Sequence, residues 1–452
     1  MSLRFGTDGI RGTANTELTP ELALALGRAA ARYLPGGRFF VGSDTRRSGP
    51  MLKAALSAGL AAEGRQVSDL GILPTPGLAW IVREHQVPGA MVSASHNPYW
   101  DNGIKLISES GTKLSDSLER SIEDELAKLL ESLSLARRDI VGELVGEIDN
   151  AHSLVDQYID QLVRSAEIPS GFDLAIVCDC GNGAAFEIAP EVFSRLGISA
   201  TIIGNSPDGT NINAGYGATD PARLAAEVVG RGADLGLSFD GDADRMIAVD
   251  HRGEVVDGDA LLVLFALDLR DRGELENDAI VATVMSNLGV RRALDVAGIG
   301  LIETPVGDRF VADALDEQGL VLGGEQSGHI VFRRQSTTGD GILTGLKLIE
   351  LIARRGQSLA ELADKAITRV PQELRTVAVT APDRLGEAPG VWSEVAAVER
   401  ELGDSGRVVI RPSGTEAAVR VMVEADSRAA VDDALVRIVT AVERELGAAT
   451  TI

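Results

Sequence analysis

Along the chain, short apolar runs alternate with longer segments whose apolar positions recur at helical spacing. Thr19 and Pro20 predict a capped helix start, and Leu22, Leu26, Ala30 and Tyr33 share one face until Pro35-Gly-Gly37 ends the helix. Arg38-Phe-Phe-Val-Gly42 reads as a buried strand, Ser43-Asp-Thr-Arg-Arg-Ser-Gly49 as a loop, Pro50 to about Ala62 as a helix and Gln66–Leu70 as a strand. Gly71-Ile-Leu-Pro-Thr-Pro-Gly77 reads as a proline-stiffened connection. The next apolar run breaks at Ser95, and Asp101-Asn-Gly103 predicts a tight turn with Lys105 on its far side. A charged amphipathic helix is expected over about Ser115–Leu135. This alternation predicts a mostly parallel sheet with helices on both faces.

The pattern then repeats in kind. A helix over Ser153–Ala166, a strand over Leu174–Cys178, the glycine-rich turn Asp179-Cys-Gly-Asn-Gly-Ala184 and a strand over Leu235–Phe239 form a second α/β unit. The turn lacks the spacing of a dinucleotide-binding loop. A strand over Ala279–Met285 and the loop Thr304-Pro-Val-Gly-Asp-Arg309 belong to a third. Strands over Leu374–Val379, Arg407–Arg411 and Val419–Glu424, with helices over Val391–Leu402 and Ala429–Leu446, read as a small α+β module. The expected units are residues 1–150, 151–251, 252–368 and 369–452.

Composition narrows the function classes. The net charge of −24 repels phosphate backbones and anionic headgroups, which argues against nucleic acid or membrane partners. No apolar run approaches the ~20 residues of a membrane span. The start Met1-Ser-Leu-Arg-Phe-Gly6 shows no targeting pattern, so a cytoplasmic location is expected. Cys178 and Cys180 are too few for a disulfide framework and read as packing residues. Against the acidic background, Arg11, Lys105, Arg245, Arg309, Arg411 and Arg420 recur inside glycine-rich motifs, where an anionic substrate needs local cations.

Four stretches carry candidate chemistry. In Ser93-Ala-Ser-His-Asn-Pro98, a serine leaving a buried strand before a proline-bounded turn presents its hydroxyl as a nucleophile does; no G-x-S-x-G elbow supports a hydrolase. In Phe239-Asp-Gly-Asp-Ala-Asp-Arg245, carboxylates at Asp240, Asp242 and Asp244 repel one another and call for a cation; the spacing excludes an EF-hand. Gly323-Gly-Glu-Gln-Ser-Gly-His329 offers Glu325, Gln326, Ser327 and His329 on a glycine scaffold, donors and acceptors suited to a hydroxyl-rich ligand. Arg411-Pro-Ser-Gly-Thr-Glu416, backed by Arg420, supplies guanidinium forks, the Ser413 and Thr415 hydroxyls and the Gly414 amide, a set suited to a phosphate dianion.

Taken together, and in this order along essentially the whole chain, these stretches resemble the α-D-phosphohexomutase superfamily. The form Ser93-Ala-Ser-His-Asn-Pro-Tyr-Trp-Asp-Asn-Gly-Ile-Lys105 is most similar to its bacterial phosphoglucosamine mutase branch. The resemblance implies a four-domain α/β architecture, with three similar mixed-sheet domains and a C-terminal α+β domain around a central cleft. It implies that Ser95 carries a transferable phosphoryl group, that Asp240, Asp242, Asp244 and the phosphoserine bind one Mg²⁺ per subunit, and that Arg245 and Lys105 balance charge. Arg11, Lys105 and His329 are its candidates for proton transfer, and Thr337-Thr-Gly-Asp-Gly341 is its structural segment. The implied reaction interconverts glucosamine 6-phosphate and glucosamine 1-phosphate through glucosamine 1,6-bisphosphate, in a monomer or homodimer, and supplies amino-sugar nucleotide and cell-wall precursor synthesis. Rival readings are a glucose or mannose phosphate mutase, a serine-dependent phosphatase and an inactive sugar-phosphate sensor. Gly217-Ala-Thr-Asp220 and Ala417 depart from the superfamily's pattern, which there often has Gly-Ser-Thr-His and a proline.

Overall fold

The computed structural model describes residues 9–131, 140–169, 171–413 and 417–447. Its strands form four sheets. The first runs in the order Ile10–Thr13, Asp101–Ile107, Gly89–Val92, Arg38–Ser43, Gln66–Ile72, Ile148–Asn150. The first two pairings are antiparallel and the rest parallel, so the sheet is mixed. In the second sheet Val255–Val256, Met246–Asp250 and Leu235–Phe239 pair antiparallel, then Ile176–Asp179 and Ala200–Ile203 extend it in parallel. The third places Gly300–Thr304, Ala279–Thr283 and Leu322–Gly324 in parallel and returns through Ile330–Phe332. The fourth is antiparallel, with Ala418–Ala425 in the middle between Gln372–Ala378 and Gly406–Pro412. Because Val255–Val256 joins the second sheet, that unit runs past the boundary expected at residue 251.

Local chemistry explains most element starts. Thr19 caps the helix Pro20–Tyr33 by accepting from the Leu22 amide, and Pro20 at its first position has no amide to satisfy. This helix crosses Gly49–Ala62 at backbone contact: a Cβ on Gly27 would lie 2.2 Å from Leu56 O, and one on Gly59 2.1 Å from Leu24 O. Two expectations fail. The proline-stiffened connection expected over residues 71–77 gives way after Leu73 to a helix, Thr75–His85, opened by Pro74 and Pro76, because proline suits the first turn as well as it suits a loop. Asn102-Gly103 is not a turn but lies inside the strand Asp101–Ile107, paired with Arg11 and Gly12.

Burial divides the molecule unevenly. One continuous apolar core runs from Phe40 and Leu78 through Tyr158, Cys178 and Phe239 to Leu261, Leu322 and Leu346, so the first three sheets share it. The C-terminal sheet has a core of its own, built on Val377, Val391, Val421 and Leu435. No helix among the described residues is long and apolar enough to cross a membrane.

The third and fourth sheets meet through buried polar groups. Asn287 clasps Val370 in both directions, accepting from its amide at 3.0 Å and donating to its carbonyl at 2.9 Å. Glu424 of the C-terminal sheet accepts from the Leu288 amide at 2.9 Å, and Arg407 bridges Glu424 to Ser286 O. Asp259 sits under this joint and accepts from the Asn287 amide at 2.8 Å. Burial, reinforced by Asp257, pushes its carboxyl up to about 7. The unfolded chain releases that proton near pH 4. Between about pH 4 and 7 the native state therefore holds the extra proton, and raising the pH through that window costs stability. Asp259→Asn keeps the accepting oxygen and removes the titration. Urea melts are expected to show a flatter pH dependence for the variant, with a relative gain of up to about 4 kcal/mol at pH 8. Equal slopes for the two proteins would contradict this.

Candidate active site

The serine loop is framed by two strands. Gly89–Val92 is buried throughout, and Asp101–Ile107 returns beside it with Lys105 opposite Met91. Ser95 follows in a turn three residues past the strand end, 1% exposed, with a left-handed backbone at φ +52°. Its amide donates to Ser93 Oγ at 2.9 Å, and Ser93 Oγ donates to Asp44 at 2.6 Å. Arg11, opposite Gly103 on the first strand, donates from Nη1 to Asn97 Oδ1 and Ala94 O at 3.3 and 3.4 Å.

The acidic loop joins Leu235–Phe239 to Met246–Asp250 and delivers three buried carboxylates whose oxygens lie within 4.8 Å of one another. Asp240 Oδ2 accepts from Ser95 Oγ at 2.6 Å, and Asp240 Oδ1 from the Arg245 amide at 3.2 Å. Asp242 Oδ2 accepts from Lys105 Nζ at 2.8 Å and Thr75 Oγ1 at 2.6 Å. Among the described residues, the Oδ1 atoms of Asp242 and Asp244 accept no hydrogen bond although both are buried. Burial, with Asp244 and Asp242 beside it, pushes Asp240 well above the usual carboxylate range. Asp244 goes the other way: burial opposes its charge, but the His329 hydrogen bond and the cations Lys105 and Arg245 hold it well below that range. A buried all-oxygen donor set with unused lone pairs fits a hard divalent cation.

The hairpin between Leu322–Gly324 and Ile330–Phe332 carries the third group. Glu325 Oε1 accepts from the Gly307 amide at 3.0 Å, and Ser327 Oγ donates to Glu325 Oε2 at 3.3 Å. Gln326 turns its amide toward Gln372 at the start of the C-terminal sheet. Glu325, Gln326 and Ser327 are half-buried, whereas His329 is 2% exposed behind them. His329 Nδ1 faces Asp244 at 3.5 Å and Nε2 accepts from the Gly339 amide at 3.0 Å. Burial disfavours the imidazolium and Asp244 favours it, lifting its proton affinity to about 9. The Gly339 N–H donates to Nε2 and works against that shift, because a second proton at Nε2 would cost this bond. The expected substrate and proton-transfer roles for His329 do not suit this placement: both nitrogens are engaged, and the ring braces Asp244.

On the C-terminal sheet Arg411 and Arg420 are directly opposed across two strands. Burial, then the Arg420 charge, lowers the Arg411 pKa, while Glu325 acts to raise it. Arg411 Nε, Arg420 Nε and Ser413 Oγ are buried without hydrogen-bond partners among the described residues, as a site built for an anion requires. Gly414 and Thr415 lie outside the described residues.

The whole chain has matching relatives. Models of the phosphoglucomutase/phosphomannomutase family match in order: alpha/beta/alpha domain I over residues 2–132, domain II over 156–253, domain III over 257–370 and the C-terminal domain over 374–441. A phosphoglucosamine mutase of Symbiobacterium thermophilum is 46% identical over 457 residues, covering 99% of this chain and 100% of the relative. One of Rhodococcus opacus is 48% identical over 433 residues, covering 94% and 96%. The chain belongs to the phosphoglucosamine mutase family. Among solved structures, a phosphoglucomutase/phosphomannomutase family protein of Burkholderia thailandensis superposes with a TM-score of 0.83 at 24% identity, covering 99% of both chains. A phosphomannomutase described as putative, of Thermus thermophilus, gives 0.79 at 25% identity, covering 98% of this chain and 99% of that one.

In this family member, tertiary contacts bring in residues that the sequence did not single out. Thr75, between two prolines at a helix start, holds Asp242. Arg46, in the stretch expected to be only a loop before a helix, is fully buried and donates to the serine loop. Asn213 donates to Ser95 O from the second unit. A hydroxyl between prolines was a legible signal for Thr75; nothing local marks the other two. Ser95, Lys105, Arg245, His329 and the three aspartates form one connected cluster, and Arg411 with Arg420 forms a separate one.

Proposed function

We propose that this chain interconverts glucosamine 6-phosphate and glucosamine 1-phosphate by passing a phosphoryl group through Ser95. The observation that carries the reading is the 2.6 Å contact of Ser95 Oγ with Asp240 Oδ2, which seats a buried hydroxyl against three carboxylates and Lys105. The phosphoryl group on Ser95 moves to the free hydroxyl of a bound sugar monophosphate. The Oγ–P bond breaks with its electron pair on Oγ and the sugar O–P bond forms; the sugar hydroxyl proton passes to a neighbouring base, and the leaving Ser95 Oγ takes up a proton to become the free hydroxyl. The resulting glucosamine 1,6-bisphosphate then returns its other phosphate to Ser95. Lys105 and Arg11 are the candidates for moving the proton, since His329 is engaged at both nitrogens. Arg245, whose Nε lies 3.8 Å from Asp244, balances charge at the acidic loop.

One Mg²⁺ per subunit, held by Asp240, Asp242, Asp244 and an oxygen of phosphorylated Ser95, would neutralise charge developing on the transferred phosphoryl oxygens. Glu325, Gln326 and Ser327 take the sugar hydroxyls and amino group. Arg411, Arg420 and Ser413, with Gly414 and Thr415, take whichever phosphate is idle. The reading divides the chain near residue 150, just past Val256 and near residue 368. It places the reaction in the cytoplasm, with the chain as monomer or homodimer and a sugar phosphate as its partner.

The sugar is tested by kinetics on the glucosamine, glucose and mannose phosphate pairs. Losing a charge-assisted hydrogen bond to the 2-ammonium group should lower kcat/KM for the other sugars roughly tenfold to a hundredfold. A glucose or mannose phosphate turned over equally well would overturn the sugar assignment and leave the phosphoryl route standing.

A further inference from the structure

The left-handed backbone of Ser95 needs an explanation, since a non-glycine residue at φ +52° is held there only when its surroundings over-determine it. Two side chains from different units of the fold converge on the same carbonyls. Arg46, fully buried, pairs with Asp44 at 2.9 Å and donates from Nη2 to Ser95 O and Asn97 O, both at 2.7 Å. Its Nη1 reaches Pro98 O and Asp101 O. One guanidinium thus closes four carbonyls of the loop into a ring. From the second unit, Asn213 Nδ2 donates to Ser95 O at 3.0 Å and Asn97 O at 3.3 Å. Gly241 leaves room for this meeting: a Cβ there would lie 2.4 Å from Ser95 O and 2.9 Å from Asn213 Nδ2.

We propose that Arg46 and Asn213 are positioning residues that jointly fix the Ser95 backbone, so that the nucleophile is aligned only when the first two α/β units are docked. Neither side chain has a place in the phosphoryl transfer itself. Their effect passes through the Ser95 and Asn97 carbonyls, which set where Oγ stands relative to Asp240. Arg46 holds the loop within its own unit, and Asn213 makes alignment depend on the neighbouring one. The inference rests on Ser95 being the phosphoryl carrier.

Asn213→Asp is the decisive variant, because it is isosteric, tolerates the left-handed backbone that Asn213 adopts at φ +58°, and replaces the donor with an acceptor facing two carbonyls. The expected result is a kcat about tenfold to a hundredfold lower, measured well below the melting transition, with KM for the sugar phosphate within about twofold; the carboxylate facing two carbonyls also lowers Tm, by too little to unfold the protein at the assay temperature. The rate at which glucosamine 1,6-bisphosphate phosphorylates Ser95, followed by intact mass, should fall in parallel. Amide exchange over residues 95–102 should quicken. Arg46→Lys keeps the charge beside Asp44 but not the fork, and should give the same pattern; if it fails to fold, Asn213→Asp carries the test. Normal kcat and normal Ser95 phosphorylation in Asn213→Asp would overturn the proposal, as would a loss explained entirely by a lowered Tm. Ser95→Ala run alongside separates the two claims: activity surviving there defeats the carrier reading, whereas its loss beside a normal Asn213→Asp defeats only the positioning.

Discussion

Ser95→Ala is expected to lower kcat at least about 10⁴-fold while leaving the fold intact, because the residue supplies the atom that carries the phosphoryl group. The neighbouring hydroxyls cannot take its place. Ser93 Oγ is committed to Asp44 and Thr75 Oγ1 to Asp242, each at 2.6 Å. Truncation removes one oxygen and its hydrogen bonds to Asp240 and, at 3.2 Å, to His96 Nδ1, so stability should change by about 1–2 kcal/mol. Alanine has no greater difficulty than serine at the same backbone angles. Peptide mapping of active protein should place one phosphoryl group on Ser95 and none on the variant. Turnover at the native rate by Ser95→Ala, or a phosphoryl group mapped to another residue, would contradict the route.

Asp240→Asn should lower kcat by roughly 10³-fold and sharply reduce stabilisation by Mg²⁺. Three carboxylates with oxygens within 4.8 Å of one another repel by roughly 3–4 kcal/mol per ionised pair at an effective dielectric near 20. Burial and the two neighbouring aspartates push the Asp240 pKa up, so of the three it gives up its charge most readily. An amide at this position keeps an oxygen for the Arg245 amide and presents its NH₂ to Ser95 Oγ, a hydroxyl that can accept as well as donate. The metal-free variant should therefore melt no lower than the metal-free parent. The parent should gain about 2–3 kcal/mol from Mg²⁺ at a hundredfold excess over Kd, and the variant much less. Equal Mg²⁺ stabilisation in both proteins, or activity that survives exhaustive chelation, would remove the metal from Asp240.

What the sequence determined by itself was local. Thr19-Pro20 started a helix, the buried run of Leu235–Phe239 made a strand, and the i, i+2, i+4 aspartates marked a candidate cation site, because capping, alternation and like-charge repulsion act over a few residues. Where one local signal serves two structures it misled: the prolines flanking Thr75 suit a stiff loop and a helix start equally, and Asn102-Gly103 suits a turn until the strand Ile10–Thr13 pairs with it. The site's working arrangement was decided only by tertiary structure. Lys105 and Thr75 meet Asp242 across sequence separations of 137 and 167 residues, and no periodicity records which strand ends will face one another. His329 reads as a sugar-loop residue, yet the hairpin return turns it inward to Asp244 and Gly339. Arg46 is the strongest case. In sequence it is one cation in a polar loop, and only the buried ring of four carbonyls from Ser95 to Asp101, with Asp44 at Nε, gives its five donors partners and offsets the cost of its burial.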